Sequence, residues 1–237
     1  MIKATEIYYN GNIITMDGKR STATHLAVKG DTILAVGHAE VLQYKNEETA
    51  CIDLRGKTML PGFYDGHSHL MRAGQQYLYF LDLSPYPLGT LRSLQDTAQK
   101  IKEHSKTKQK GEWIICGGFD ETSIREARHY TLRELDEIAP EHPLVIRHIS
   151  GHILLANSLA YRLANITENT PDPAGGRYQR DEQGNFTGIV EEPVAMEPFF
   201  QKGLPMTEEK WQKAVEHASS IYVSKGVTTA QDGNVTQ

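Results

Sequence analysis

The sequence predicts an α/β protein in two parts, a small β-sandwich or meander followed by a longer stretch of alternating strands and helices. Three observations carry this. The first 57 residues break into short β-rich runs joined by turn dipeptides, with no helix-period stretch of useful length. From Pro61-Gly62 onward, apolar strand-like runs alternate with segments whose apolar residues recur at helical spacing. Apolar residues make up 39% and charged residues 23% of the 237, the composition of a folded chain with a core.

Taken in order, "TEIYYNGNIITM" places an Asn-Gly pair, Asn10-Gly11, between two β-rich runs and predicts a hairpin. "THLAVKGDTILAVG" predicts a second one turning at Gly30-Asp31, and "GHAEVLQYK" a short helical turn before "ACIDLRGKTMLPG". In "LRSLQDTAQKIKEHSKTK", Leu91, Leu94, Ala98 and Ile101 form a helical stripe. "EWIICGGF" and "PLVIRHI" read as buried strands. "TLRELDEIAPEH" between them is a helix with Thr131 and Glu134 at capping-box spacing and a stop before Pro140. "ILLANSLAYRLA" reads as helical, and "GGRYQRDEQGNFTGIV" as a polar hairpin turning at Asp181 to Gly184. "MTEEKWQKAVEHASSIYVSKG" is a helix capped by Thr207 and ended by Gly226, and "VTTAQD" is a last strand. Such alternation argues for parallel βα units.

Charge and cysteine usage exclude several functions. A net charge of −5 without a basic cluster gives no footprint for nucleic acid or for an acidic membrane. The two cysteines, Cys51 and Cys116, are far apart in sequence, which predicts no disulfide framework and fits a reducing, cytoplasmic setting. The N-terminus lacks the apolar core of a signal peptide, and no apolar run is long enough to span a bilayer.

The chemistry concentrates in "LPGFYDGHSHLM". Side chains alternate along a strand, so Asp65, His67 and His69 share a face. Two imidazoles there can converge on one cation; neutral imidazole suits zinc, iron, nickel or manganese, and a nearby carboxylate can orient the rings. Histidines at this spacing also occur in ordinary packing, so the flanking residues decide. Pro61, Gly62, Phe63, Asp65, His67 and His69, set between a β-rich segment and alternating elements, resemble the amidohydrolase superfamily of metal-dependent hydrolases. Downstream, "GGFDET", "HPLVIRHISGHILLANSLA", "DPAGGRYQRDEQGNFTGIVEE" and "GVTTAQD" resemble in order its family-3 branch, which includes N-substituted formamide deformylase.

The resemblance implies a (β/α)₈ barrel of TIM type, of which this chain holds the first part, flanked by a small β-sandwich. The boundaries it implies are 1–58 for the sandwich portion and 59–237 for the barrel portion, with a hairpin insertion near 174–190. It implies one or two divalent ions, zinc foremost, at the C-terminal ends of barrel strands. His67 and His69 would bind metal, with Glu192 of "GIVEEP" standing in for a bridging carboxylated lysine; adjacent Glu191 competes for that role, or the two form a solvated acidic pair. His152 of "SGH" and Asp120 of "GGFDET" would contact a small-molecule substrate. The implied reaction is hydrolysis of an amide-type C–N bond, other than a peptide bond, by metal-activated water.

His148 reads as a packed residue, because Gly151 breaks its alternation with His152, and Asp232 as a loop cap or a group behind the ligands. Residues 59–237 fall short of the about 250 a complete barrel needs. The chain therefore reads as the N-terminal part of a longer enzyme, inactive alone, with the general base beyond residue 237 and a homo-oligomer compatible with it. The alternative is a catalytically silent member or fragment that binds only metal or a partner subunit.

Overall fold

A computed structural model describes residues 2–233. The chain divides into two compact units: the first holds the residues up to Gly66 together with Lys225–Ala230, the second His67–Ser224 with the segment from Gln231.

In the first unit lie β1 (Glu6–Tyr9), β2 (Asn12–Ile14), β3 (Thr22–Ala23), β4 (His25–Lys29), β5 (Thr32–Gly37), β6 (Ala50–Asp53) and β7 (Thr58–Met59). They form a four-stranded sheet in the order β5-β4-β1-β6 and a three-stranded sheet β3-β2-β7. Ile7, Ala27 and Val41 centre one small core and Ile13, Ala23 and Leu26 another. The turn at Gly30-Asp31 joins β4 to β5 as an antiparallel hairpin, as the sequence predicts. The Asn10-Gly11 turn does not make a hairpin: β1 is flanked by β4 and β6, so the chain leaves its sheet and β2 enters the other. Asn10 still takes the left-handed conformation, at φ +58°, and its amide donates to Asp53 Oδ1 at 2.9 Å.

β8 (Phe63–Ser68) leads into the second unit, which continues with α1 (Leu70–Tyr79), β9 (Leu81–Asp82), α2 (Leu94–Ser105), β10 (Ile114–Phe119), α3 (Leu132–Ile138) and β11 (Leu144–His148). There follow β12 (Ile153–Ala156), α4 (Ser158–Leu163), β13 (Arg177–Arg180), β14 (Phe186–Glu191), α5 (Pro193–Gly203), α6 (Glu208–Ser224) and β15 (Val227–Asp232). The main sheet runs β13-β14-β12-β11-β10-β9. Its β9, β10 and β11 are parallel, with α2 and α3 in the crossovers, as the alternating pattern predicts. The Thr131–Glu134 capping box forms as well.

One reading is corrected here. "ILLANSLAYRLA" is not one helix: Ile153–Ala156 is a strand antiparallel to β11, and the helix starts only at Ser158. Leu154 and Ala156 pack on one face of the sheet and Leu155 on the other, the double burial that lets a strand be continuously apolar. Asn157 marks the break. Almost fully buried, it accepts from Leu144 N and Ala160 N and donates to the carbonyls of Ala139 and His142. The runs "LPGFYDGHSHL", "EWIICGGF", "PLVIRHI" and "VTTAQD" all form strands, as the sequence predicts. They fall in two sheets, because β8 pairs with β15 while β10 and β11 belong to the six-stranded sheet. Among the described residues no closed barrel forms. The β8–β15 bonds run from Phe63 N to Gly226 O and from Gly233 N to Ser68 O, so residue numbers rise together, as in a parallel pair. No helix among the described residues is long and apolar enough to cross a membrane.

Candidate functional site

β8 ends at Ser68, which turns inward, 4% exposed, with its hydroxyl 2.8 Å from that of Tyr222. Alternation therefore sends His67 and His69 to the opposite side. Their rings meet edge to face with centroids 5.1 Å apart, both side chains open to solvent. Asp232 ends β15 beside them. Its Oδ1 lies 3.8 Å from His69 Nδ1, and its Oδ2 accepts from Met71 N at 3.2 Å, satisfying one of the free amides at the start of α1. Asp232 is thus both a helix-terminal acceptor and a carboxylate next to an imidazole.

Glu192 and His152 form a second pair, Oε2 to Nδ1 at 2.8 Å, both exposed. The backbone amide of Glu192 also donates to the carbonyl of His152. Glu192 has φ +70° and ψ +146°, a region essentially reserved for glycine. Pro193, at the first position of α5, bars the residue before it from helical ψ. Neighbouring Glu191 is engaged elsewhere, with Arg177 Nη2 2.8 Å from its Oε1 and Arg177 Nε 2.8 Å from its Oε2. The two glutamates therefore have different partners.

A third group gathers past the C-terminal ends of parallel strands β10 and β11. Asp120 accepts from Thr122 N, Thr122 Oγ1 and Ser123 Oγ, and these donors hold its carboxyl below the usual range despite partial burial. His148 Nε2 lies 2.8 Å from Glu121 Oε2 and 3.9 Å from Asp120 Oδ1, and His129 Nδ1 is 3.5 Å from the same Glu121 oxygen. Ligand atoms of Asp120, Glu121 and His148 lie within 4.8 Å of one another, a spacing that could enclose a metal ion. His67, His69 and Glu192 are not brought together in such a set. His148 Nδ1 accepts from Ser150 N at 3.1 Å, while its buried Nε2, Glu121 Oε2 and His129 Nδ1 have no hydrogen-bond partner among the described residues. Burial lowers the His129 pKa, opposed by the Glu121 carboxylate.

Sequence reasoning passed over Glu121 and His129, and it read His148 as a packed residue. The signal was present in "GGFDE" and "VIRH", two apolar strands each ending in ionisable residues, but it needed the knowledge that β10 and β11 are parallel neighbours.

Comparison with known proteins places these features in context. Residues 50–237 match the model of the amidohydrolase family. The chain is 35% identical over 231 residues to N-substituted formamide deformylase of Arthrobacter pascens, covering 96% of this chain and 42% of that protein. It is 29% identical over 232 residues to Protein LONG AFTER FAR-RED 3 of Arabidopsis thaliana, covering 98% and 38%. In fold it resembles an uncharacterized metal-dependent hydrolase from Pyrococcus horikoshii, with a TM-score of 0.63 and 24% identity over 95% of this chain and 42% of that one. The chain thus spans about two fifths of the length of these relatives.

Proposed function

Because this chain belongs to the amidohydrolase family, we propose that the intact protein is a metal-dependent hydrolase of an amide-type C–N bond in a small molecule, with His67 and His69 as metal ligands. The observation that carries this is the edge-to-face contact of the two rings at the end of β8. Two imidazoles 5.1 Å apart, open to solvent and beside the carboxylate of Asp232, are a donor set suited to zinc. A divalent ion held there would supply Lewis acidity toward an amide carbonyl and toward water. Asp232 holds the start of α1, and hence His69, in place through Met71 N. Glu192, held in a costly backbone conformation and paired with His152, brings a second carboxylate for metal or substrate; such strain persists where the surrounding structure enforces it, as at functional sites. The parallel pairing of β8 with β15 and the packing of α1 on α6 support reading this ribbon as the opening of a (β/α)₈ barrel. Free Cys51 and Cys116 fit a cytoplasmic setting.

The test is a screen of the intact gene product on N-formyl and N-acyl amides, a choice guided by the name of the Arthrobacter relative. Glu192→Gln should lose far more activity than Glu191→Gln, whose partner is Arg177. Equal losses would reject a special role for Glu192, and no turnover of any amide would favour a catalytically silent protein.

A further inference from the structure

Arg147 sits on β11 next to His148 and faces the other way, on the side of Val145. Its guanidinium comes up against Gly151, where a Cβ would lie 3.1 Å from Nη2 and where φ is +78°. The glycine of "SGH" therefore leaves room for a cation. Arg72, in the first turn of α1, lies over the Trp211 ring at 5.7 Å, and its Nη1 is 3.4 Å from Oε1 of the buried Gln75. Both guanidiniums line one cavity of about 560 Å³ with Phe80, Met196, Phe200 and Trp211. That volume is within the range of small-molecule sites, about 300–1,000 Å³.

Among the described residues, neither arginine has an ion-pair partner. Glu197 on the same wall accepts instead from Gln201 at 3.0 Å. Burial first, and then the positive charge of Arg72, push the Arg147 pKa down. Two like charges facing one space, neither of them in an ion pair, repel each other. An anion entering between them would reverse that.

We propose that this cavity binds a small organic carboxylate, its oxygens held by Arg72 and Arg147 and its apolar body against Phe80, Met196, Phe200 and Trp211. Planar guanidinium matches carboxylate with paired hydrogen bonds. Binding is measured without metal or turnover, so it stands or falls separately from the hydrolase reading.

Calorimetric titration of the intact protein with phenylacetate, phenylacetamide and inorganic phosphate tests it. Saturable binding of phenylacetate is expected, with the amide not binding measurably. Arg72→Gln and Arg147→Gln should each weaken binding by about tenfold or more, the effect of losing a charge-assisted contact. Arg147→Met should raise or preserve the Tm of the ligand-free protein, because it removes a half-buried charge that has no ion-pair partner. Phosphate binding more tightly than phenylacetate would overturn the carboxylate assignment, as would the amide matching the acid. A fall in Tm for Arg147→Met would mean that Arg147 has a structural partner. A crystal structure showing one of the protein's own carboxylates between the two guanidiniums would likewise refute it.

Discussion

Replacing Glu192 by glycine should give a more stable protein than replacing it by alanine. Both changes remove the 2.8 Å contact to His152, which is worth at most about 1 kcal/mol between exposed groups, so that loss cancels in the comparison. What differs is the backbone. Alanine inherits the φ of +70° and ψ of +146° and its cost of about 1–3 kcal/mol, whereas glycine does not. Glycine gives back about 0.5–1 kcal/mol through the greater freedom of its unfolded chain. The net advantage of Glu192→Gly over Glu192→Ala is therefore about 1 kcal/mol, or about 2–4 °C in Tm for a domain of 150–250 residues. Differential scanning calorimetry of both variants under one buffer measures it. An alanine variant as stable as the glycine variant would refute the claim that strain is stored at this position.

Gly74→Ala places a Cβ against the Ala214 carbonyl, where α1 meets the backbone of α6. Overpacking of about 1–3 kcal/mol should outweigh the roughly 1 kcal/mol that alanine gains as a helix former, so Tm should fall; a rise would mean the helices can separate at little cost. Glu134 should lend stability that depends on pH. The hydrogen bond from Arg128 leads the causes that lower its pKa from 4.5 to about 2, so the contribution is fully present above pH ~4.5 and lost as pH falls toward ~2. Its side chain is 35% exposed, and screening reduces the effect to about 1 kcal/mol. The Tm gap between wild type and Glu134→Gln should close across that window, and a gap that did not change with pH would count against the Arg128 pair.

Local chemistry was legible wherever one segment contained its own answer. The capping box at Thr131, the hairpins at Gly30-Asp31 and Asp181–Gly184, and the helix begun at Thr207 need only neighbours in sequence. Readings failed where the decision depends on a distant partner. Asn10-Gly11 has hairpin chemistry, yet β4 and β6 already occupy both sides of β1. Ile153–Ala156 is apolar enough for helix or strand, and burial on both sheet faces decides for strand. For the site, the sequence pattern foresaw the juxtaposition of His67 with His69, because strand alternation is local. It could not foresee that Asp232 would come beside His69, that Glu192 would pair with His152, or that Arg72 and Arg147 would share a cavity. Those meetings are set by sheet order and by the packing of α1.

The most direct test of the functional reading is elemental analysis of the purified intact gene product beside its His67→Ala/His69→Ala variant. If the two rings that meet at the end of β8 are the ligands, the wild type carries a divalent transition ion, zinc foremost, and the double variant loses most of it while its circular dichroism spectrum is unchanged. A folded double variant with undiminished metal would show that the ion is held elsewhere and that His67 and His69 are not its site.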